Sequence, residues 1–220
     1  LKQDIENDRY IEIWGIVFSQ FNAVNGIKRE DYKELPHKNI DTGAGLERIC
    51  CVLQNTDTNF ETDLFMPIIK ATEKLANKPY NNENLMPYRV IADHIRACTF
   101  ALADGANFSN EGRGYVLRRI LRRAMRYAQK IGLYEPFLYK LVDSVIDVMH
   151  DFYPYLSEKK EQIEKIIKNE EERFIKTLNS GENILNSYIK DSKELSGELA
   201  FKLYDTFGFP VELTKEICAD

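Results

Sequence analysis

Gly114-Tyr-Val-Leu-Arg-Arg-Ile-Leu-Arg-Arg-Ala-Met-Arg-Tyr-Ala-Gln-Lys-Ile131 decides how the chain is read. At a helical step of about 100° per residue, Leu117, Ile120, Leu121, Ala124, Met125, Ala128 and Ile131 fall within one arc of about 140°. Arg118, Arg119, Arg122, Arg123, Arg126 and Lys130 take the opposite arc. The stretch is an amphipathic helix with an apolar face and a cationic back. A second helix, roughly Ser157 to Leu178, sets Ile163, Ile166, Ile167, Phe174 and Leu178 at helical spacing. Its Glu161/Lys165, Glu164/Lys168 and Glu172/Lys176 pairs are oriented as supports one turn apart. Helical patterning runs almost throughout beyond Asp63, with breaks expected at Pro67, Pro79, Pro87, Gly105, Gly112, Gly132, Pro136, Pro154, Gly181, Gly197 and Pro210. No internal repeat is visible.

Toward the N-terminus the pattern changes. Tyr10 to Phe21 is rich in β-branched and aromatic residues and is followed by Asn25-Gly26, which predicts a buried strand and a turn. Charged residues from Lys28 to Glu34 read as a loop or an exposed edge. Asp41 to Ile49 then reads as a short strand running into a helix that ends near Gln54. The expected fold class is α+β, predominantly helical.

The 220 residues are 44% hydrophobic and 30% charged, with only 11 Gly and 7 Pro, which excludes collagen, low-complexity disorder and a disulfide mini-scaffold. The longest apolar runs, such as Ile16 to Phe18, fall far short of the roughly 20 residues a spanning helix needs, so no membrane partner is expected. Cys50, Cys51, Cys98 and Cys218 show no C-x-x-C spacing, and a reducing, cytoplasmic compartment is the expectation. The start, Leu1-Lys2-Gln3-Asp4, has neither an initiator Met nor a signal-peptide pattern, and an internal piece of a longer protein is expected. The net charge of -5 hides a basic stretch: residues 87 to 132 carry Arg89, Arg96, Arg113, Arg118, Arg119, Arg122, Arg123, Arg126 and Lys130 against Asp93, Asp104 and Glu111.

Two constellations carry chemistry. A guanidinium fork matches phosphate oxygens in charge and geometry, so the arginine face suits a phosphate-rich partner; it equally suits pairing with acids elsewhere in an acidic chain, and periodicity does not choose. Asp41-x-Gly43-x-Gly45-Leu46-Glu47-Arg48 places two glycines and an arginine at a strand-to-helix junction, which suits a nucleotide and also an ordinary capped turn. His37, His94 and His150 are far apart, and no Cys/His pair has zinc-ligand spacing. No nucleophile elbow or Walker pattern is present.

Asp41-Thr-Gly-Ala-Gly-Leu-Glu-Arg48 resembles motif 3 of class II aminoacyl-tRNA synthetases. More narrowly, Tyr10 to Asn22, Arg89 to Arg96, Ser109-Asn-Glu-Gly-Arg-Gly-Tyr-Val-Leu-Arg-Arg119 and Leu203-Tyr-Asp-Thr-Phe-Gly-Phe-Pro210 resemble, in the same order, the alanyl-tRNA synthetase family. The resemblance covers nearly the whole chain. It implies a remnant of the class II antiparallel sheet in residues 1-60, the end of the aminoacylation domain, and a helical tRNA-recognition region in residues 61-220. The implied reaction joins L-alanine and ATP, with Mg2+, into alanyl-adenylate and transfers the alanyl group to tRNA(Ala). By motif, Asp41 would hold the alanine ammonium, Val17, Gly43 and Gly45 would line the side-chain and adenylate pocket, and Arg48 would neutralise ATP phosphate or stack on adenine. Asn110 and Asp205 would read a G·U pair of the acceptor stem, with Arg113, Arg118, Arg119, Arg122, Arg123 and Arg126 on the same RNA. Without the resemblance, Asn110 reads as an N-cap for the arginine helix and Asp205 as a cap before Gly208-Phe209-Pro210.

Gly15 stands where the family pattern leads one to expect Asn. Motifs 1 and 2, with the α-phosphate arginine, are expected before Leu1, and a Zn2+ editing domain beyond Asp220, so no metal site is expected in this chain. A non-catalytic RNA-binding module derived from such an enzyme, and a helical module whose arginine face meets acidic proteins, are the alternatives.

Overall fold

A computed structural model describes residues 10–191, 195–206, 209 and 211–219. Among them the architecture is α+β and predominantly helical, with a single two-stranded antiparallel sheet. The chain divides into two compact units, Leu1–Leu64 and Phe65–Asp220.

The first unit holds β1 (Trp14–Asn22), β2 (Lys33–Ala44) and α1 (Leu46–Gln54). The β-branched and aromatic residues of β1 favour the pleated backbone. The strands are joined through a turn at Asn25-Gly26, where the Ile27 amide donates to the Val24 carbonyl at 3.2 Å. β2 is longer than the expected short strand and runs through Pro36, which the ladder tolerates because the register shifts there. Ser19 lies opposite Asn39 while Phe21 lies opposite Glu34. The expectation of a buried strand is corrected. β1 forms, yet Ile16, Val17 and Phe18 are 61%, 59% and 66% exposed, since a two-stranded ribbon covers neither of its own faces. Among the described residues, every buried hydrophobic side chain lies at Phe65 or beyond.

The second unit contains α2 (Met66–Ala76), α3 (Leu85–Ala103), α4 (Gly112–Gln129), α5 (Val142–Met149), α6 (Tyr155–Glu158), α7 (Lys160–Asp191), α8 (Gly197–Asp205) and α9 (Val211–Ala219), with a 3-10 turn at Leu138–Leu141 before α5. α3 is central, packing on α2, α4 and α5, and its Ile91, Ile95 and Cys98 are fully buried. α4 buries the expected stripe, with Leu117, Leu121, Ala124, Met125 and Ala128 inside and Ile120 half-buried. Ile131 is buried just past the helix end.

Several expected breaks are not breaks. Pro67 and Pro87 lie in the first turns of α2 and α3, where a missing N–H has no intrahelical partner to lose. Gly181 lies inside α7, which continues past the expected end at Leu178 to Asp191. A Cβ at Gly181 would stand 2.1 Å from the Phe209 ring, so glycine here admits an aromatic side chain against the helix backbone. Phe209 is fully buried, and its amide donates to the Leu203 carbonyl at 2.9 Å, tying the end of α8 to that seat.

α7 also presents a carboxylate to main chain. Glu171 accepts from the Phe137 and Leu138 amides at 2.9 Å each and from the Tyr139 amide at 3.2 Å, satisfying N–H groups at the start of the 3-10 turn. Burial pushes its carboxyl up from 4.5 to about 7 despite those three bonds and the nearby Lys140 charge. A carboxyl raised on folding contributes stability that is complete below the ordinary carboxylate range and is lost as pH rises through about 7. The chain should therefore lose up to about 3 kcal/mol from this group between pH 4.5 and 8, the equivalent of the difference between those two values. Glu171→Gln, neutral throughout, should show a flatter pH dependence in thermal melts, and parallel curves for the two proteins would contradict the assignment.

Candidate functional site

Residues far apart in sequence meet in the β1–β2 register. Val17 lies opposite Asp41, Gly15 opposite Gly43 and Ser19 opposite Asn39. Paired residues of an antiparallel ladder share a face, so these six form one small and polar face. The other face carries Trp14, Ile16 and Phe18 opposite Ala44, Thr42 and Ile40. On that side the Trp14 indole N–H donates to the Thr42 hydroxyl, which in turn donates to the Gly15 carbonyl at 3.1 Å. The ribbon is thus pinned across its apolar face, while on its polar face the Glu12 carboxylate lies over Gly15, 2.8 Å from where a Cβ would stand, and the space at Gly43 is empty.

On the polar face Asp41 is exposed, and its carboxylate has no hydrogen-bond or ion-pair partner among the described residues. A Cβ at Gly43 would meet nothing within 4 Å. Gly45 caps α1 with its amide donating to the Ile13 carbonyl at 3.0 Å, and a Cβ there would press on the Arg48 side chain at 3.1 Å. Arg48 itself donates to the Glu12 carbonyl, so its guanidinium is held to the main chain before β1. The register brings Val17, Asp41 and Gly43 together; Arg48 is placed by its own backbone contact one turn into α1. An anion at that helix N-terminus and a cation at Asp41 are what this arrangement can bind.

The arginine face of α4 is divided. Arg118 and Arg122 turn to α7, where Glu170, only 3% exposed, takes Arg118 Nε at 3.2 Å and Arg122 Nη2 at 2.8 Å and Nε at 2.9 Å. The Arg122 guanidinium also lies 4.8 Å from the centroid of Phe174. Arg126 donates to Gln129 at 3.1 Å. Arg113, Arg119, Arg123 and Lys130 are exposed, and Arg123 and Lys130 flank the Tyr127 ring. Pairing with an acid elsewhere in the chain thus accounts for Arg118 and Arg122.

Asn110 is not the N-cap of α4; that position is Glu111. The Asn110 Oδ1 instead accepts from Arg118, and the residue is exposed. The Asn107–Ser109 segment leans on the helix where Gly114 has no Cβ, since one would lie 2.3 Å from the Asn107 carbonyl. Asp205 ends α8; its side chain lies outside the described residues, as do Gly208 and Pro210. A cavity of about 180 Å³ beside Arg118 is lined by Asn107, Phe108, Ile166, Asn169, Glu170 and Arg173.

Sequence reasoning missed Glu170 and Glu171. The available signal was positional: Ile163, Ile167, Phe174 and Leu178 mark an apolar stripe, and the two glutamates fall in its vacant turn. Among the described residues, no group of three or more His, Cys, Asp or Glu is placed to hold a metal ion, and no helix is long and apolar enough to cross a membrane.

The open space at Gly43 generates a stability test. Gly43→Val should leave the melting temperature unchanged or slightly higher, because a β-branched residue favours a strand and meets no neighbour. A marked drop in melting temperature would mean that glycine is there for the fold.

The family model for class II tRNA synthetases (A) matches residues 1–220. Over the whole chain, the sequence is 59% identical to an alanine–tRNA ligase of Streptococcus sanguinis strain SK36, 58% to one of Streptococcus pneumoniae strain Hungary19A-6 and 57% to one of Streptococcus mutans strain UA159. In each case the chain spans 26% of the relative's length. The match extends over both units, the open ribbon and the arginine helix alike, and the chain belongs to the class II tRNA synthetases.

Proposed function

We propose that the chain works as part of an alanine–tRNA ligase, its first unit supplying one side of the alanine and adenylate site and its second unit meeting the acceptor stem of tRNA(Ala). The observation that carries the reading is the identity of 57% to 59% across all residues to proteins of that name. The register that sets Asp41 beside Val17 and Gly43 supports it from the geometry.

In this reading the alanine carboxylate attacks the α-phosphorus of ATP, forming alanyl-adenylate and releasing pyrophosphate. A ribose hydroxyl at the end of the tRNA then attacks the carbonyl and AMP leaves. Neither step requires a protein nucleophile, so positioning and charge neutralisation are what the chain contributes. Asp41, exposed and unpartnered among the described residues, holds the ammonium. Gly43 leaves room for the ligand to approach the strand, and Val17 beside Asp41 bounds a pocket for a methyl group. Gly45 opens α1, whose first amides face an anion, and Arg48 adds charge there. Mg2+ belongs to the ATP substrate; the described residues supply no cluster to hold it, and no step is assigned to it.

On the second unit, Arg113, Arg119 and Arg123 contact RNA phosphates from the exposed part of α4, with Arg118, Arg122 and Arg126 behind them. Asn110 and Asp205 read the G·U pair. The wobble pair leaves an amine and carbonyls on its edges, and an amide and a carboxylate are the complementary groups.

The test is alanine-dependent ATP–pyrophosphate exchange by the protein expressed from the full reading frame that contains this chain. Exchange should be present and specific for alanine. Asp41→Ala should reduce it by about a hundredfold or more, since the ammonium loses its charged partner. Gly43→Val should do the same at undiminished stability. Absence of exchange in the unmodified protein would leave an RNA-binding module and overturn the ligase reading.

A further inference from the structure

Glu170 has no part in the reaction described above, yet it is one of the few buried charged side chains and lies two contacts away from Asn110. We propose that Glu170 is the positioning residue for Asn110: its buried carboxylate on α7 fixes the Arg118 guanidinium of α4, whose other edge holds the Asn110 amide. The inference rests on the reading of Asn110 as a residue that recognises the acceptor-stem pair.

Asn110 lies before α4 in no regular structure, is exposed and does not serve as the helix cap. Its side chain therefore needs another restraint to hold one orientation. Arg118 provides it by donating to Oδ1, which also decides which way the amide faces, because an arginine has only donors to offer. The Asn110 Nδ2 hydrogens are left to donate outward to a carbonyl of the base pair.

Arg118 in turn is fixed by Glu170. Its Nε lies 3.2 Å from the carboxylate as an ion pair, not as an aligned hydrogen bond, while its Nη1 donates to Asn110, so one planar guanidinium faces the carboxylate with one edge and Asn110 with the other, which a single ammonium cannot reproduce. The same Glu170 oxygen takes Arg122 at 2.8 Å, and the Phe174 ring backs the Arg122 guanidinium, so the carboxylate is clamped on both sides. The cavity of about 180 Å³ beside Arg118 gives that side chain somewhere to swing once the carboxylate charge is removed.

The experiment measures kcat/KM of the full-reading-frame protein on acceptor-stem minihelices carrying G·U or G·C. Glu170→Gln keeps the shape and removes the charge. It should lower the G·U over G·C preference by about five- to tenfold, within the range of couplings between contacting residues, and leave ATP–pyrophosphate exchange unchanged. Arg118→Lys, which keeps the charge without the fork, should lower the preference similarly and decides the matter if Glu170→Gln does not fold. Combined with Asn110→Ala, Glu170→Gln should add no further loss of preference. Preference kept within twofold in Glu170→Gln and Arg118→Lys, while Asn110→Ala loses it, overturns the relay alone. Preference kept in Asn110→Ala overturns the base-pair reading itself and the relay with it.

Discussion

A buried carboxylate held between two guanidiniums organises the outer surface of the helical unit. Glu170 draws Arg118 and Arg122 of α4 down onto α7, while Arg113, Arg119 and Arg123 are left on the exposed side and Arg126 is half-buried. Removing a charge of this kind from water is costly unless charged contacts replace the solvent, and here Arg122 does so through Nε and Nη2 while Arg118 adds an ion pair at 3.2 Å. The neighbouring Glu171 does the equivalent for main chain, holding three amides of the turn before α5. Two successive residues of one helix thereby fix a side-chain layer on one side and a backbone turn on the other.

The first unit works by a different device. Its ribbon buries none of its hydrophobic side chains, and its order comes from the ladder, the Trp14–Thr42–Gly15 hydrogen bonds and the contacts of Gly45 and Arg48 to the main chain before β1. What the ladder produces is a sorted surface, aromatic and aliphatic on one side and small or anionic on the other. That sorting sets an aspartate beside a valine and a glycine with room above it.

Much of this was legible in the residues, and what was not has identifiable causes. The stripe of Leu117, Leu121, Ala124, Met125 and Ala128 is a helical period that packing preserved. The pleated character of Tyr10 to Phe21 was right as to strand, from Trp14 onward, and wrong as to burial, because β propensity reports a side chain's fit to a sheet and not whether a second layer lies over it. Gly181 was read as a break, whereas a single aromatic ring from residue 209 makes glycine the residue that fits inside a helix; no local window contains both positions. The pairing of Arg118 with Glu170 spans 52 positions, so the sequence offered two explanations of the cationic face and only tertiary packing could divide it. The family likeness singled out Asp41, Asn110 and Asp205 as candidates, but the contact from Arg118 to Asn110 comes from the fold alone.

The central claim is that the exposed half of α4 meets RNA phosphates. Its most direct measurement is the affinity of the 220-residue chain for an alanine acceptor minihelix as a function of salt. With Arg113, Arg119, Arg123 and Lys130 on the exposed side, log Kd should rise with log salt at a slope of up to about 3.6, that is about 0.9 for each of four duplex phosphates neutralised. A slope near zero, or binding unchanged when those four side chains are neutralised, would contradict the account.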